Sequence, residues 1–125
     1  MKAHLLLVED NEVNAYLARF LLEQAGYSVT VATDGEQALR CAAMQRPDLV
    51  LMDIRMPVMD GYEATRRLKL NPDLAAVPVV ALSANAMPDE KAQALACGCV
   101  AHIEKPFDAA HLVGQVQALL PPPLR

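Results

Sequence analysis

The sequence predicts an α/β chain in which five strand–helix units wind a parallel sheet covered by helices on both faces. Two observations carry this. Short continuous apolar runs recur at Leu5-Leu6-Leu7-Val8, Leu49-Val50-Leu51-Met52 and Val77–Leu82, as in strands buried on both faces. Strand patterns and helical patterns then alternate along the whole chain, and parallel strands joined by crossover helices produce that alternation. With 125 residues the chain has the size of one domain, since two halves would each be too small for a good core.

The elements follow in order. Leu5–Val8 ends at Glu9-Asp10. From Asn11 the period becomes helical, with Val13, Tyr16, Leu17, Phe20, Leu21 and Gln24 on one face. Ala25-Gly26 closes this helix, glycine being favoured just past a helix end. Tyr27–Ala32 alternates, with Tyr27, Val29 and Val31 on one side and Ser28 and Thr30 on the other. Such a strand suits a sheet edge with one wetter face. Asp34 reads as the N-cap of a helix through Ala38, Leu39 and Ala42, which Pro47 ends. Leu49–Met52 runs into Asp53. A proline-containing loop leads to a polar-faced helix at 61–70, stopped by Asn71-Pro72. Val77–Leu82 runs into Ser83. Pro88-Asp89 opens an alanine-rich helix that Gly98 terminates. Ala101–Ile103 is a brief last strand before Glu104-Lys105-Pro106. Asp108 then caps a final helix with Ala109, Leu112, Val113, Val116, Leu119 and Leu120 inward. Right-handed crossovers, with the second strand at an edge, give the order 2-1-3-4-5, a flavodoxin-like doubly wound (βα)5 sheet. The domain is expected to span 1–120, with a proline-rich tail at 121–125.

Composition excludes several function classes. The net charge is −4, which offers no general basic field for nucleic acid or an anionic membrane. Aromatic residues are 4% with no Trp, too few for a base-stacking platform. The longest apolar runs fall far short of the roughly 18 residues of a membrane span. Cys41, Cys97 and Cys99 match neither a redox CxxC nor a usual zinc spacing, so reduced cysteines and a cytoplasmic location are expected. Arg66, Arg67 and Lys69 read as a solvated basic helix face. Ala92, Ala96 and 97–100 read as part of a mild apolar patch with Met87 and Pro88.

In a doubly wound sheet, function gathers beyond the carboxyl ends of the strands, where the strand order reverses. The residues there are Glu9, Asp10, Asp53, Ser83 and Lys105. Three carboxylates brought together repel unless a cation joins them, and oxygen ligands suit Mg²⁺. A metal, a lysine and a hydroxyl donor together stabilise a phosphoryl group in transfer. Asp53, backed by apolar residues, is a nucleophile for that group.

These residues sit in segments that resemble a family. Val8-Glu9-Asp10-Asn11, 51–57, Met59-Asp60-Gly61, 81–86 and Lys105-Pro106-Phe107 are similar to the receiver domain of two-component response regulators, over about 2–120. The resemblance implies a role for each matching position. Asp53 accepts a phosphoryl group from a histidine kinase or histidine phosphotransfer protein. Asp10, Asp53 and the backbone carbonyl of Arg55 ligate Mg²⁺, with Glu9 acting through water. Ser83 turns to the phosphoryl oxygen. Lys105 pairs with Asp53 and then with the phosphate, and the Lys105-Pro106 bond that follows is cis. One position departs from the pattern: His102 stands where the family carries a switching Tyr or Phe. Arg55 and Asn85 flank the site, at positions that affect how fast phosphate is lost.

The resemblance further implies a phosphoacceptor that catalyses its own phosphorylation and dephosphorylation rather than an enzyme. Output would pass to a downstream protein target or along a phosphorelay. A homodimer through the face of the fourth helix, fifth strand and fifth helix would be a further assembly. With no effector domain after the fifth helix, a stand-alone receiver is expected, the alternative being a receiver cut from a hybrid histidine kinase. A phosphohydrolase of the haloacid dehalogenase kind would need a second Asp where Arg55 stands. A flavodoxin would need a phosphate-cradling loop where the chain carries acids.

Overall fold

Hydrogen bonding orders five parallel strands as β2-β1-β3-β4-β5, as expected. The structure is a computed structural model that describes residues 3–54, 56, 59–83, 88–105 and 109–120. Along the chain lie β1 (His4–Val8), α1 (Glu12–Gln24), β2 (Ser28–Ala32), α2 (Gly35–Met44), β3 (Leu49–Asp53) and α3 (Gly61–Leu70). β4 (Val79–Ser83), α4 (Pro88–Cys97), β5 (Ala101–Glu104) and α5 (Ala109–Leu119) follow. The expected Asp108 cap, the Lys105-Pro106 bond, Arg55, Asn85, Met87 and the tail at 121–125 lie outside the described residues.

β3 and β4 are buried throughout, because helices cover both faces. Alternate side chains serve opposite layers. On one face Leu6, Val8, Val50, Met52, Val79 and Ala81 meet Ala38 and Ala42 of α2, Ala64 and Leu68 of α3, and Ala94 of α4. On the other, Leu5, Leu7, Leu49, Leu51, Val80 and Leu82 meet Ala15, Ala18 and Leu22 of α1 and Leu112 and Val116 of α5. Asp34 caps α2 as expected, its Oδ1 accepting the Gln37 N–H at 2.8 Å. Gly26 and Gly98, the residues expected to close α1 and α4, have φ of +101° and +115°, a region glycine enters without a steric penalty.

Three sequence readings change. Most of the predicted apolar face of α1 points to solvent: Val13 is 75% and Tyr16 73% exposed, Leu17 and Phe20 are exposed too, and of its apolar residues Leu21 alone packs on the core. The helix rests on the sheet through Ala15, Ala18 and Leu22 instead, since small side chains let its backbone approach closely. Lys69 is not part of a solvated basic face. Its Nζ donates to the carbonyls of Ala75 (3.1 Å) and Val77 (2.7 Å), and burial lowers its pKa. Arg66 and Arg67 do lie at the surface, where both pair with Glu63. Cys97 and Cys99 turn inward beside Thr65 and leave the surface patch; exposed Leu95 and Val100 stand there with Ala92 and Ala96. Burial pushes the Cys99 thiol up to about 12, so it packs as an inert thiol.

Candidate functional site: an acidic rim closed by a lysine

Strand ends place the acids. The Glu9 N–H donates to the Ala32 carbonyl at 3.0 Å, extending the sheet by one residue and turning the Glu9 side chain into the interior (3% exposed). Two residues on, Asn11 caps α1 by accepting the Asn14 N–H at 3.0 Å. Asp10 is therefore held, exposed, between a strand and a helix start. Asp53 ends central strand β3 and is 4% exposed. One carboxylate oxygen from each of Glu9, Asp10 and Asp53 lies within 4.8 Å of the others.

Gly61 fixes the far side of Asp53. Its N–H donates to the Ile54 carbonyl at 2.9 Å. A Cβ there would stand 2.8 Å from Ile54 Cα and 3.0 Å from the Asp53 carbonyl carbon, closer than real contacts allow. Asp60 caps α3 beside it by accepting the Glu63 N–H at 2.9 Å. Sequence reading missed that cap, although the Asp-x-x-Glu spacing of Asp60 and Glu63 signals a helix start.

Lys105 closes the rim. Its N–H donates to the Ser83 carbonyl at 2.7 Å, and its Nζ donates to Glu9 Oε2 at 2.5 Å and Asp53 Oδ2 at 3.2 Å. The expected Lys105–Asp53 pair is present, yet the shorter contact goes to Glu9. Burial alone would lower the lysine's pKa, but the Glu9 hydrogen bond and the charge of Asp53 outweigh it and raise the value. Asp53 is pushed up to about 6, by burial first and then by hydrogen bonding to and repulsion from Glu9, against the opposing pull of Lys105. One ammonium does not balance three carboxylates, so the donor set has the charge and the oxygen chemistry for a hard divalent cation.

Ser83 ends β4 and is buried. Its Oγ–H donates to Oε1 of Glu90 on α4 at 3.2 Å. Glu90 is a neighbour that no sequence spacing indicated, because the contact depends on how α4 packs on the sheet. His102 lies on β5, paired with Ala81. It is half-buried, with Nε2 shielded and without a hydrogen-bond partner among the described residues. Burial first, then the charge of Lys91, lower its pKa. The acids and Lys105 thus meet as expected. Among the described residues, Glu9, Asp10 and Asp53 form the one His, Cys, Asp or Glu group close enough to hold a metal.

The sequence profile of the response regulator receiver domain matches residues 5–117. The chain belongs to that family. Among curated relatives, the receiver is 38% identical over 120 residues to the polar-differentiation response regulator DivK of Brucella anthropi, covering 96% of this chain and 98% of the relative. Among solved structures, the chemotaxis protein CheY4 of Vibrio cholerae superposes with a TM-score of 0.93 at 30% identity, covering 96% of this chain and all of that one. The receiver domain of the sensor histidine kinase PA1611 of Pseudomonas aeruginosa matches at 42% identity and a TM-score of 0.88, over 94% and 97% of the two chains. That structure holds a magnesium ion coordinated in its active site cleft. This receiver is accordingly a module of two-component phosphorylation signalling. No helix among its described residues is long and apolar enough to cross a membrane.

Proposed function

We propose that Asp53 is the phosphoryl acceptor, taking the group from phosphohistidine on a histidine kinase or phosphotransfer protein in a Mg²⁺-dependent step, with residues 1–120 as the receiver unit. The observation that carries this is a buried carboxylate at the end of β3 with Lys105 Nζ 3.2 Å away and two more carboxylates beside it. An Asp53 oxygen forms the bond to phosphorus while the donor's P–N bond breaks and its electron pair stays on the imidazole. Asp10, Asp53 and the Arg55 carbonyl would hold the ion, with Glu9 behind them. Bound there, Mg²⁺ would neutralise phosphoryl charge in transfer. Lys105 would then leave Asp53 for the phosphoryl oxygens, and the Ser83 hydroxyl would donate to one of them. The same site would catalyse its own dephosphorylation. Reduced cysteines fit work in the cytoplasm, and exposed Leu95 and Val100 on the α4–β5 side suit a downstream protein or a second copy in an α4–β5–α5 dimer.

The test is intact mass after incubation with acetyl phosphate and Mg²⁺. The wild type should gain one phosphoryl group and Asp53→Asn none. Protons compete with metal for Asp53, whose pKa without metal is raised to about 6, so the Mg²⁺-dependent yield should fall with pH, and at a lower pH the higher the Mg²⁺ concentration. An adduct retained by Asp53→Asn would place the acceptor elsewhere.

The exposed stripe of α1 is the docking face we assign to the phosphohistidine protein. Tyr16 lines a groove with Glu9, Asp10 and Arg19 and stacks on Phe20 at 6.5 Å, so the exposed apolar residues of α1 begin beside the acids. A donor seated there would bring its imidazole to the acidic rim. Leu17→Glu with Phe20→Glu should slow transfer from a phosphohistidine protein about tenfold or more, as loss of an apolar anchor does. Transfer from acetyl phosphate should be unchanged. Equal slowing with both donors would count against the assignment.

A further inference from the structure

Resting on the phosphoryl-acceptor reading, we propose that Glu90 is a latch that opposes activation. Its carboxylate holds the Ser83 hydroxyl in the unphosphorylated receiver, and that bond must break before the hydroxyl can turn to a phosphoryl group on Asp53. The Ser83 Oγ–H donates to Glu90 Oε1 at 3.2 Å across a half-buried gap, with Ser83 itself 1% exposed. At 3.2 Å it is long for an O–H···O bond, so a phosphoryl oxygen can compete for the hydroxyl. The latch is anchored, because the Tyr62 hydroxyl donates to the Glu90 carbonyl at 3.2 Å and ties this turn of α4 to α3. Glu90 is a positioning residue in this scheme, since it acts through Ser83.

Calorimetric titration with beryllofluoride, a phosphoryl mimic, at saturating Mg²⁺ tests the latch. Glu90→Ala should bind about five- to tenfold more tightly than the wild type, the scale of one lost competing hydrogen bond. Glu90→Gln, which keeps the shape and a weaker acceptor, should fall between them, and gives an answer even if the alanine variant folds poorly. In a Ser83→Ala background, removing Glu90 should change nothing, because the coupling runs through that hydroxyl. Equal affinities of wild type and both Glu90 variants would overturn the latch while leaving the acceptor site standing. Tightening that persists without the Ser83 hydroxyl would also overturn it, since the effect would then be charge alone. A wild type that fails to bind the mimic would overturn the acceptor reading and the latch together.

Discussion

Asp53→Asn is expected to abolish phosphorylation and also to make the metal-free receiver more stable at neutral pH, by about 2 kcal/mol. The gain arises because folding buries the Asp53 carboxylate beside Glu9 and raises its pKa to about 6 from an ordinary 3.8. An acid whose folded pKa is raised favours the folded state when protonated. Its ionisation therefore costs stability progressively as pH rises from the unfolded value to about 6, and fully above that. Asparagine removes the charge and keeps the shape. The difference between wild type and variant should thus be largest at neutral pH and should vanish at acid pH, below the ordinary carboxylate range. Urea unfolding at the two pH values, in chelator, measures it. Adding Mg²⁺ should close the gap from the wild-type side, because a ligand that binds only the folded state stabilises it. A variant no more stable than wild type in chelator would mean that Lys105 already neutralises the site.

Gly61→Ala should be the most damaging glycine-to-alanine change in the chain, costing about 3 kcal/mol. The added Cβ would stand 2.8 Å from Ile54 Cα and 3.0 Å from the Asp53 carbonyl carbon. These neighbours are backbone at the buried end of central strand β3 and cannot step aside as a flexible side chain can. The first turn of α3 must move out, taking the Asp60 cap and the Gly61–Ile54 hydrogen bond with it. Because that turn braces Asp53 from behind, Mg²⁺ binding should weaken along with stability. Gly114→Ala, where nothing lies within 4 Å of the added carbon, is the control and should be near neutral or slightly stabilising in its helix. A Gly61→Ala protein within about 0.5 kcal/mol of wild type would show that the β3–α3 turn relaxes freely.

Particular residues show how far the sequence could be read. The runs at Leu5–Val8, Leu49–Met52 and Val77–Leu82 had to supply interior parallel strands, because they offer no polar face to water; the third strand begins only at Val79. Once the strands were in order, Glu9, Asp10, Asp53 and Lys105 had to share one rim, since parallel strands end on the same side. α1 shows the converse. Val13, Tyr16, Leu17 and Phe20 carry the helical period of a buried stripe, and that period records only which residues share a face. Which face meets the sheet was decided by fit: Ala15 and Ala18 let the backbone lie close, where the larger side chains would hold it off. Lys69 was misread for a related reason, because its target carbonyls belong to a loop whose path no local pattern reveals.

The sequence by itself determined the architecture, its strand order and the chemistry gathered at the strand ends, because those follow from local periodicity, from right-handed crossovers with an edge-like second strand, and from chain direction in a parallel sheet. Only the tertiary structure decided that Lys105 leans more closely on Glu9 than on Asp53, that Glu90 reaches Ser83, and that α1 turns its apolar stripe outward. Each of these depends on distances of a few ångströms between segments far apart in the chain, set by how whole helices settle on the sheet.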